Sequence, residues 1–234
     1  MNRNRNSKTR GLKFFIAELL ILILGISASF LLNEWRLNRE EKIQERDLLE
    51  SFKANLITDS TLIYGGIKTL NTQIERGGKV LANNSGVYSD SLNFQVLSLL
   101  NYIPFRSNDI TYEEMKSVGS SSIIYSDTLR AQLIGIYENG YELLNNWVDV
   151  DGDHIRNKLI PYVEENFPFA PNFNYYVTNA ETKRKLMKAI QADEFKHLVQ
   201  FGLSYKTNTK AIFELMLAEI RETIELIDAE LDSN

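Results

Sequence analysis

The 234-residue chain contains no cysteine, two histidines and four prolines. Without cysteine it cannot form disulfide bonds, thiolate metal sites, lipid-modified thiols or a cysteine nucleophile. Three of the prolines fall between Pro161 and Pro171, so long helices can run elsewhere without interruption. The apolar fraction of 44% is that of a folded chain and excludes a disordered composition.

Catalytic sequence motifs are also missing. The chain has no H-E-x-x-H, G-x-S-x-G, Walker A, G-x-G-x-x-G or S-x-x-K pattern. The carboxylate pairs Glu113/Glu114 and Glu164/Glu165 are adjacent on predicted helices, so their members point in different directions and indicate solvated faces. We therefore predict that the protein is not an enzyme and carries no cofactor and no metal. An unrecognised extracytoplasmic enzyme is the alternative.

Charge is distributed unevenly along the chain. Residues 1–13 contain no acid and five basic side chains, which are Arg3, Arg5, Lys8, Arg10 and Lys13. Since the net charge of the whole chain is −5, residues 14–234 carry −10. Binding of nucleic acid needs a cationic face that neutralises phosphates. The acidic body therefore predicts that nucleic acid is not a partner.

A long apolar run, Phe14 to Leu32, follows the basic residues. As a helix it rises about 28 Å, which is close to the ~30 Å hydrocarbon core of a bilayer. Basic residues stay on the cytoplasmic side and tryptophan favours the interface. We therefore predict a cytoplasmic tail (residues 1–13), a transmembrane signal anchor in the lipid bilayer (residues 14–32) and an interfacial anchor at Trp35.

Two other interpretations of the apolar run stay open. A cleaved signal peptide has the same basic start, and residues 27–29 offer small side chains for a cleavage site. The apolar residues 30–32 continue past that site, which favours the anchor. A buried core helix fits poorly between a basic tail and the highly charged segment that follows.

One face of the predicted span has a distinct composition. Helical spacing places five residues in one stripe, which are Glu18, Leu22, Gly25, Ser29 and Leu32. Gly25 and Ser29 form a small-xxx-small pair that lets helices approach closely, which predicts a homodimer or contact with another membrane protein. Glu18 would then be hydrogen-bonded across that interface. Alternatively its carboxylate bends toward Lys13, Arg10 and water, a behaviour called snorkelling.

The remaining sequence predicts an all-α protein. Residues 33–48 are charged on all sides, with pairs at helical spacing such as Arg36/Glu40, and predict a helical stalk. Residues 49–234 have helical periodicity and no strand pattern of any length, so they predict an elongated antiparallel helical bundle. The apolar faces of its three long helices comprise Leu49, Phe52, Leu56, Ile63, Ile67, Leu70, Ile74 and Leu81; Leu129, Leu133, Ile136, Gly140, Leu144, Trp147, Ile155 and Leu159; and Phe195, Leu198, Gly202, Tyr205, Ile212, Met216, Ile220, Ile227 and Leu231.

Local signals predict where these helices begin and end. The first long helix is predicted to end near Asn83, and a short helix to run from about Ser89 to Tyr102. The next helix is predicted to begin with a capping box at Thr111 and to end with a C-cap at Gly119. Ser126 is predicted to cap a helix that continues to about Asn166, and the two last helices are predicted over 181–191 and 193–232. The glycine pairs 65–66 and 77–78 predict a kink or a close approach. The aromatic segment 167–176 is interpreted as a cap on the bundle core, with a recognition surface as the alternative.

The segment DVDGDHIRN, residues 149–157, alternates aspartates around a glycine, as calcium-binding loops do. Its glycine, however, is at the fourth position rather than the sixth, and Ile160 stands where such loops have a glutamate. We interpret the segment as a bend in a helix rather than a metal site.

The pattern E-x6-G-x7-N-x-W, from Glu18 to Trp35, resembles a bacterial family of small single-span membrane proteins known as a domain of unknown function. Residues 111–138 are similar to a second block of that family, although Met115 stands where the family usually has leucine. Residues 29–30 also depart from its more aliphatic span. The resemblance covers most of the chain and implies a topology, with no established activity.

These observations predict a single-pass protein of the bacterial inner membrane, with its N-terminus in the cytoplasm and its bundle outside. Its expected role is structural or interactive. The alternative is an extracytoplasmic bundle that senses a ligand. Residues 1–13 are too few for an output domain, so a sensor would need to signal through a membrane partner.

Overall fold

A computed structural model describes residues 6–83, 87–119, 123–168 and 179–233. This part of the chain is helical and contains no strand, which confirms the all-α prediction. The chain divides into two compact units, of which the first ends at Leu48 and the second covers Leu49–Ser233. The elements are α1 (Asn6–Ala82), α2 (Asp90–Leu99), α3 (Ile110–Val118), α4 (Asp127–Ile134), the π-helical segment π1 (Gly135–Gly140), α5 (Tyr141–His154), the π-helical segment π2 (Ile155–Leu159), α6 (Ile160–Asn166), α7 (Ala180–Gln191) and α8 (Asp193–Ser233).

The described part of the first unit is the beginning of helix α1. This part of the sequence has no proline and is rich in strong helix formers, so no residue in it favours a break. The predicted pair Arg36/Glu40 is present, with Arg36 Nε 3.9 Å from Glu40 Oε1. No change of secondary structure separates residues 14–32 from residues 33–48. The predicted limits of tail, span and stalk therefore stay predictions.

The second unit buries the apolar faces of its long helices. In α1 the predicted face is buried from Leu49 to Leu70, and Ile74 and Leu81 are half-buried. The residues that share this face include the buried Asp59 and Gln73, which the hydrophobic pattern alone does not reveal.

The helical stretch from α4 to α6 differs from the predicted uninterrupted helix because two π segments lie within it. A π turn accommodates one extra residue, so the buried positions advance from Ile136 by five residues to Tyr141 and then to Leu144 and Val148. The prediction that Trp147 belongs to the buried face is therefore wrong. Trp147 is half-buried, and Val148 takes the core position.

In the middle of helix α8, the buried face also differs from the predicted one. Tyr205 and Ile212 are half-buried, whereas Lys206, Thr209 and Phe213 are buried. The apolar pattern missed this register because two of the three buried residues are polar. Both obtain partners inside the protein, since Lys206 forms an ion pair and the Thr209 hydroxyl donates to the Tyr205 carbonyl at 2.9 Å.

Most predicted helix ends lie close to the observed ones. The Ser126 hydroxyl accepts from the Leu129 N–H at 3.3 Å, and Gly119 ends α3 with φ of 67°, a conformation that glycine adopts without strain. The capping box at Thr111 is wrong. Asp109 is the N-cap of α3, and the buried Thr111 hydroxyl accepts from the Asn55 amide at 2.7 Å.

A second group of core residues closes the end of the unit where α2, α6, α7 and the start of α8 meet the end of α1. Phe167 is buried there, with its ring 5.4 Å from that of Phe195 and 6.4 Å from that of Tyr162. This contact agrees with the packing interpretation for the first aromatic residue of the segment 167–176. Residues 169–176 lie outside the described part of the chain.

Two of the four paired glycines mark close approaches between helices. A Cβ at Gly66 would lie 2.5 Å from Phe213 Cε1, and one at Gly77 would lie 2.4 Å from Leu203 Cδ2. Gly65 and Gly78 would meet no atom of the described chain within 4 Å. The close-approach alternative is therefore confirmed for one member of each pair, while the other member faces outward.

Alanine at Gly66 should destabilise the second unit, because the new methyl group would clash with the ring of the fully buried Phe213. The expected loss in the free energy of unfolding is about 1–3 kcal/mol, as for other overpacked cores. Gly65→Ala is the matched control. It should raise stability by up to about 1 kcal/mol through helix propensity. Urea unfolding of the full chain in detergent, monitored by circular dichroism, measures both, and equal effects would contradict the close packing.

Candidate functional site

The most unusual surface of the first unit is the apolar segment of α1. Its described large apolar side chains from Phe15 to Trp35 are between 48% and 71% exposed. Within the described residues, α1 is the one helix that is long and apolar enough to cross a membrane, and none of its apolar window is buried in the protein. A soluble protein rarely leaves so long an apolar surface uncovered.

The five residues of the predicted stripe lie on this exposed segment. Glu18 and Ser29 are exposed, Leu22 and Leu32 are 58% and 66% exposed, and a Cβ at Gly25 would meet no described atom within 4 Å. The Ser29 hydroxyl donates to the Gly25 carbonyl at 2.9 Å, so its polar group is satisfied within the helix. The stripe is accessible to a partner helix, and both its interface role and the snorkelling of Glu18 stay predictions.

Trp35 and the basic residues near the N-terminus are the predicted anchors on the two sides of the apolar segment. Trp35 is 62% exposed, and the guanidinium of Arg39 lies 5.7 Å from the centroid of its ring, a cation–π distance. Of the basic residues, Arg3 and Arg5 lie outside the described residues. Lys8, Arg10 and Lys13 lie in the first turns of α1.

The aspartate-rich segment of α5 does not assemble a cation site. Asp149 and Asp153 are exposed, whereas Asp151 is buried. His154 Nε2 lies 2.8 Å from the Leu198 carbonyl oxygen, so that nitrogen already has a partner. Among the described residues, no group of three or more histidine, aspartate or glutamate side chains could hold a metal ion. The segment continues α5 into π2.

A buried ion pair lies between α5 and α8. Lys206 Nζ is 2.8 Å from Asp151 Oδ2, and both side chains are 1% exposed. The same ammonium donates to the Asn101 carbonyl at 2.9 Å, and the Gln73 amide donates to that carbonyl at 3.0 Å. Burial raises the pKa of the Asp151 carboxyl and lowers the pKa of the Lys206 ammonium, and each shift is opposed by the attraction of the partner.

A second buried carboxylate, Asp59 on α1, fixes the loop between α2 and α3. Its two oxygens accept from the Asn108 N–H at 2.9 Å and from the Tyr141 hydroxyl at 2.7 Å. Burial raises the pKa of Asp59, and these two hydrogen bonds oppose the shift. The Tyr141 ring packs edge-on to Tyr137, which stacks on Tyr112 at 4.8 Å. A carboxylate with both oxygens occupied is suited to holding structure rather than to accepting a proton from a substrate.

The burial of Asp59 and Asp151 was not predicted from the sequence. The signal that could have revealed Lys206 is its spacing from Gly202, Thr209 and Phe213, which places a lysine on the buried face of α8. The adjacent carboxylates at 113–114 and 164–165 are exposed, as predicted.

No protein family matches this chain, and neither a curated protein nor a solved structure matches it. The resemblance to the single-span family therefore stays a prediction. What the protein does must be inferred from the exposed segment and from the bundle surface.

Leucine at Gly25 should weaken self-association of the span if the stripe is an interface, because it removes the space that lets a second helix approach. Glu18→Ala should weaken it as well by removing a hydrogen bond across the helices. Ser27→Leu is the matched control, since Ser27 lies on the opposite side of the helix. An association assay of the span in membranes compares the three. Unchanged association in both stripe variants would leave snorkelling as the role of Glu18.

Methionine at Lys206 should lower the free energy of unfolding by about 3–5 kcal/mol at pH 8, because Asp151 stays buried without its counter-ion. Loss of the lysine raises the pKa of Asp151 further. The folded state then binds a proton more readily than the unfolded state, so stability lost at pH 8 should return as the pH falls toward 5.

Two variants control for this effect. Lys210→Met removes a more exposed ammonium group, which lies 3.5 Å from Glu214 Oε1. It should lower the free energy of unfolding by no more than about 1 kcal/mol. The double variant Lys206→Met/Asp151→Leu should recover much of the loss, because neither charge remains buried. Urea unfolding of the full chain at both pH values provides the measurement. Equal losses for Lys206→Met and Lys210→Met would show that the pair does not hold the helices together.

Proposed function

We propose that this chain is a single-pass protein of the bacterial inner membrane that acts by contact with other molecules rather than by catalysis. In this proposal residues 14–32 span the bilayer and residues 1–13 lie in the cytoplasm. Residues 33–48 form a stalk, and the helical bundle lies outside the cytoplasm.

The observation that carries the proposal is the exposure of the apolar segment of α1. A leucine, isoleucine or phenylalanine side chain gains about 1.5–3 kcal/mol when it leaves water. The segment from Phe15 to Leu32 gives up much of that gain at each of its described large apolar side chains, since these are between 48% and 71% exposed. A bilayer supplies the missing apolar surroundings, and the helix satisfies its own backbone hydrogen bonds there.

The distribution of charge supports the proposed orientation. Five basic side chains and no acid precede the span, whereas residues 14–234 carry a charge of −10. Positive charge near the end of a span keeps that end in the cytoplasm. Trp35 lies after the span and forms a cation–π contact with Arg39, so it suits the membrane interface on the opposite side.

A role in interaction is supported by the available surfaces. The exposed stripe around Gly25 can pack against another helix in the membrane, either in a second copy or in a different protein. In the second unit, the buried carboxylates Asp59 and Asp151 are both engaged by partners in the core, and neither is open to a substrate.

Fractionation and protease protection test the proposed topology. The full chain should stay with the membrane after washing with alkaline carbonate, because the span holds it in lipid. Conversion of cells to spheroplasts exposes the outer face of the inner membrane. Protease added to them should digest the bundle and spare a tag placed before residue 14.

Deletion of residues 14–32 is the control and should release the protein from the membrane. The alternative of a cleaved signal peptide gives a different result. A mature chain that begins near residue 30 and stays in the supernatant would overturn the proposal, and sequencing of the mature N-terminus detects it.

A further inference from the structure

The second unit contains a groove that none of the interactions described above uses. It has a volume of about 450 Å³ and is lined by π1 and the start of α5 on one side and by α8 from Leu215 to Thr223 on the other. Pockets of about 300–1,000 Å³ are of the size that holds a small organic molecule.

The local backbone explains why the groove is open. Segment π1 begins and ends with glycine, at Gly135 and Gly140. A Cβ at Gly140 would lie 2.6 Å from Met216 Cε, so the glycine lets Met216 approach the backbone. A Cβ at Gly135 would meet no described atom within 4 Å. Gly140 thus admits the side chain of Met216, and Gly135 leaves unfilled space at a π turn, an element that is frequent at functional sites.

The lining combines an apolar surface with acidic groups. Leu143 and Leu215 line the groove and are 42% and 47% exposed, whereas Met216 also belongs to the lining but is buried and forms its floor. Methionine adapts its shape to different apolar ligands. These side chains could therefore cover the hydrocarbon part of a bound molecule.

The charge of the groove has one sign. Glu219 and Glu222 line it, three residues apart and therefore on the same side of α8. No lysine or arginine belongs to the described lining, and neither carboxylate forms an ion pair with a described residue of the chain. Both side chains are exposed, so a cation from solution can reach them.

We propose that this groove binds a small amphipathic organic cation. Its ammonium group lies against the carboxylates of Glu219 and Glu222, and its hydrocarbon part lies on Leu143, Leu215 and Met216. An anion would be repelled by both glutamates. A folded protein partner is not favoured, because a specific protein interface covers about 800 Å² on each side, far more than this groove offers.

The methyl group of Met216 provides a direct readout. The chain contains four methionines, and Met115 and Met187 are buried in other parts of the second unit. The full chain, labelled with ¹³C at the methionine methyl groups, is placed in nanodiscs of phosphatidylcholine, and phenethylammonium is titrated in. The proposal predicts a saturable shift of the Met216 signal with little change at Met115 and Met187.

Charge and shape are then tested separately. The neutral analogue 2-phenylethanol should bind at least about threefold more weakly than phenethylammonium, and phenylacetate should not bind, because the carboxylates supply the discrimination. The double variant Glu219→Gln/Glu222→Gln should weaken phenethylammonium binding about 3- to 10-fold. Glu225→Gln, an exposed carboxylate of α8 outside the lining, is the control and should change nothing.

Leucine at Gly135 should fill the groove and abolish the saturable shift without disturbing the core. Gly65→Leu, at another glycine whose Cβ would meet open space, is the matched control and should bind normally. Equal binding of the three probes, or undiminished binding in either groove variant, would overturn the proposal. The outcome is separate from that of the membrane proposal, because incorporation into nanodiscs tests the span and the Met216 shift tests the groove.

Discussion

Lys206 brings a charge into the centre of the second unit, and the surrounding helices must supply its partners. Asp151 comes from α5, and the Asn101 carbonyl, which also accepts from Gln73 on α1, comes from the residues after α2. Apolar side chains tolerate many relative positions, whereas a buried ammonium that loses its partners is strongly destabilising. A shift of α8 by one turn, about 5.4 Å, would separate all of these atoms. The pair therefore fixes the relative register of the three long helices.

The sequence predicts the helices of this fold well, because their signals are local. Ser126 and Gly119 act where their side-chain chemistry and backbone freedom suggest, and the helical periodicity from Leu49 to Leu70 matches the buried face. The failures have a different cause. Thr111 looks like a cap but is held by Asn55, which is 56 residues away. The register of α8 likewise depends on a lysine whose partner lies in another helix. Such long-range contacts leave no pattern in a short window of sequence.

The two units differ in whether their apolar side chains are covered by the protein. The second unit covers its leucines and phenylalanines with its own helices, whereas the apolar segment of the first has no cover from the described chain. The sequence predicted this segment, including Glu18 and the small residues around Gly25, because an uninterrupted apolar run is itself a local signal. It did not predict the acidic groove, which exists only once π1 and α8 lie side by side. The interactive role we propose rests on the first feature, and ligand binding rests on the second.

The five-residue advance from Ile136 to Tyr141 has a consequence for how this sequence can change over evolutionary time. A π turn is equivalent to one residue inserted into an α-helix. Loss of one residue between Ile136 and Tyr141 would let an ordinary α-helix form there, and the side chains that follow would keep nearly their present faces, because the π turn only absorbs the extra residue. Ile136 and Tyr141 would then be four residues apart and still on one face, and Leu144 and Asp151 would keep their places. A deletion of one residue should therefore be tolerated in this short segment, whereas the same deletion within α5 would turn the residues on its two sides by about 100° relative to each other.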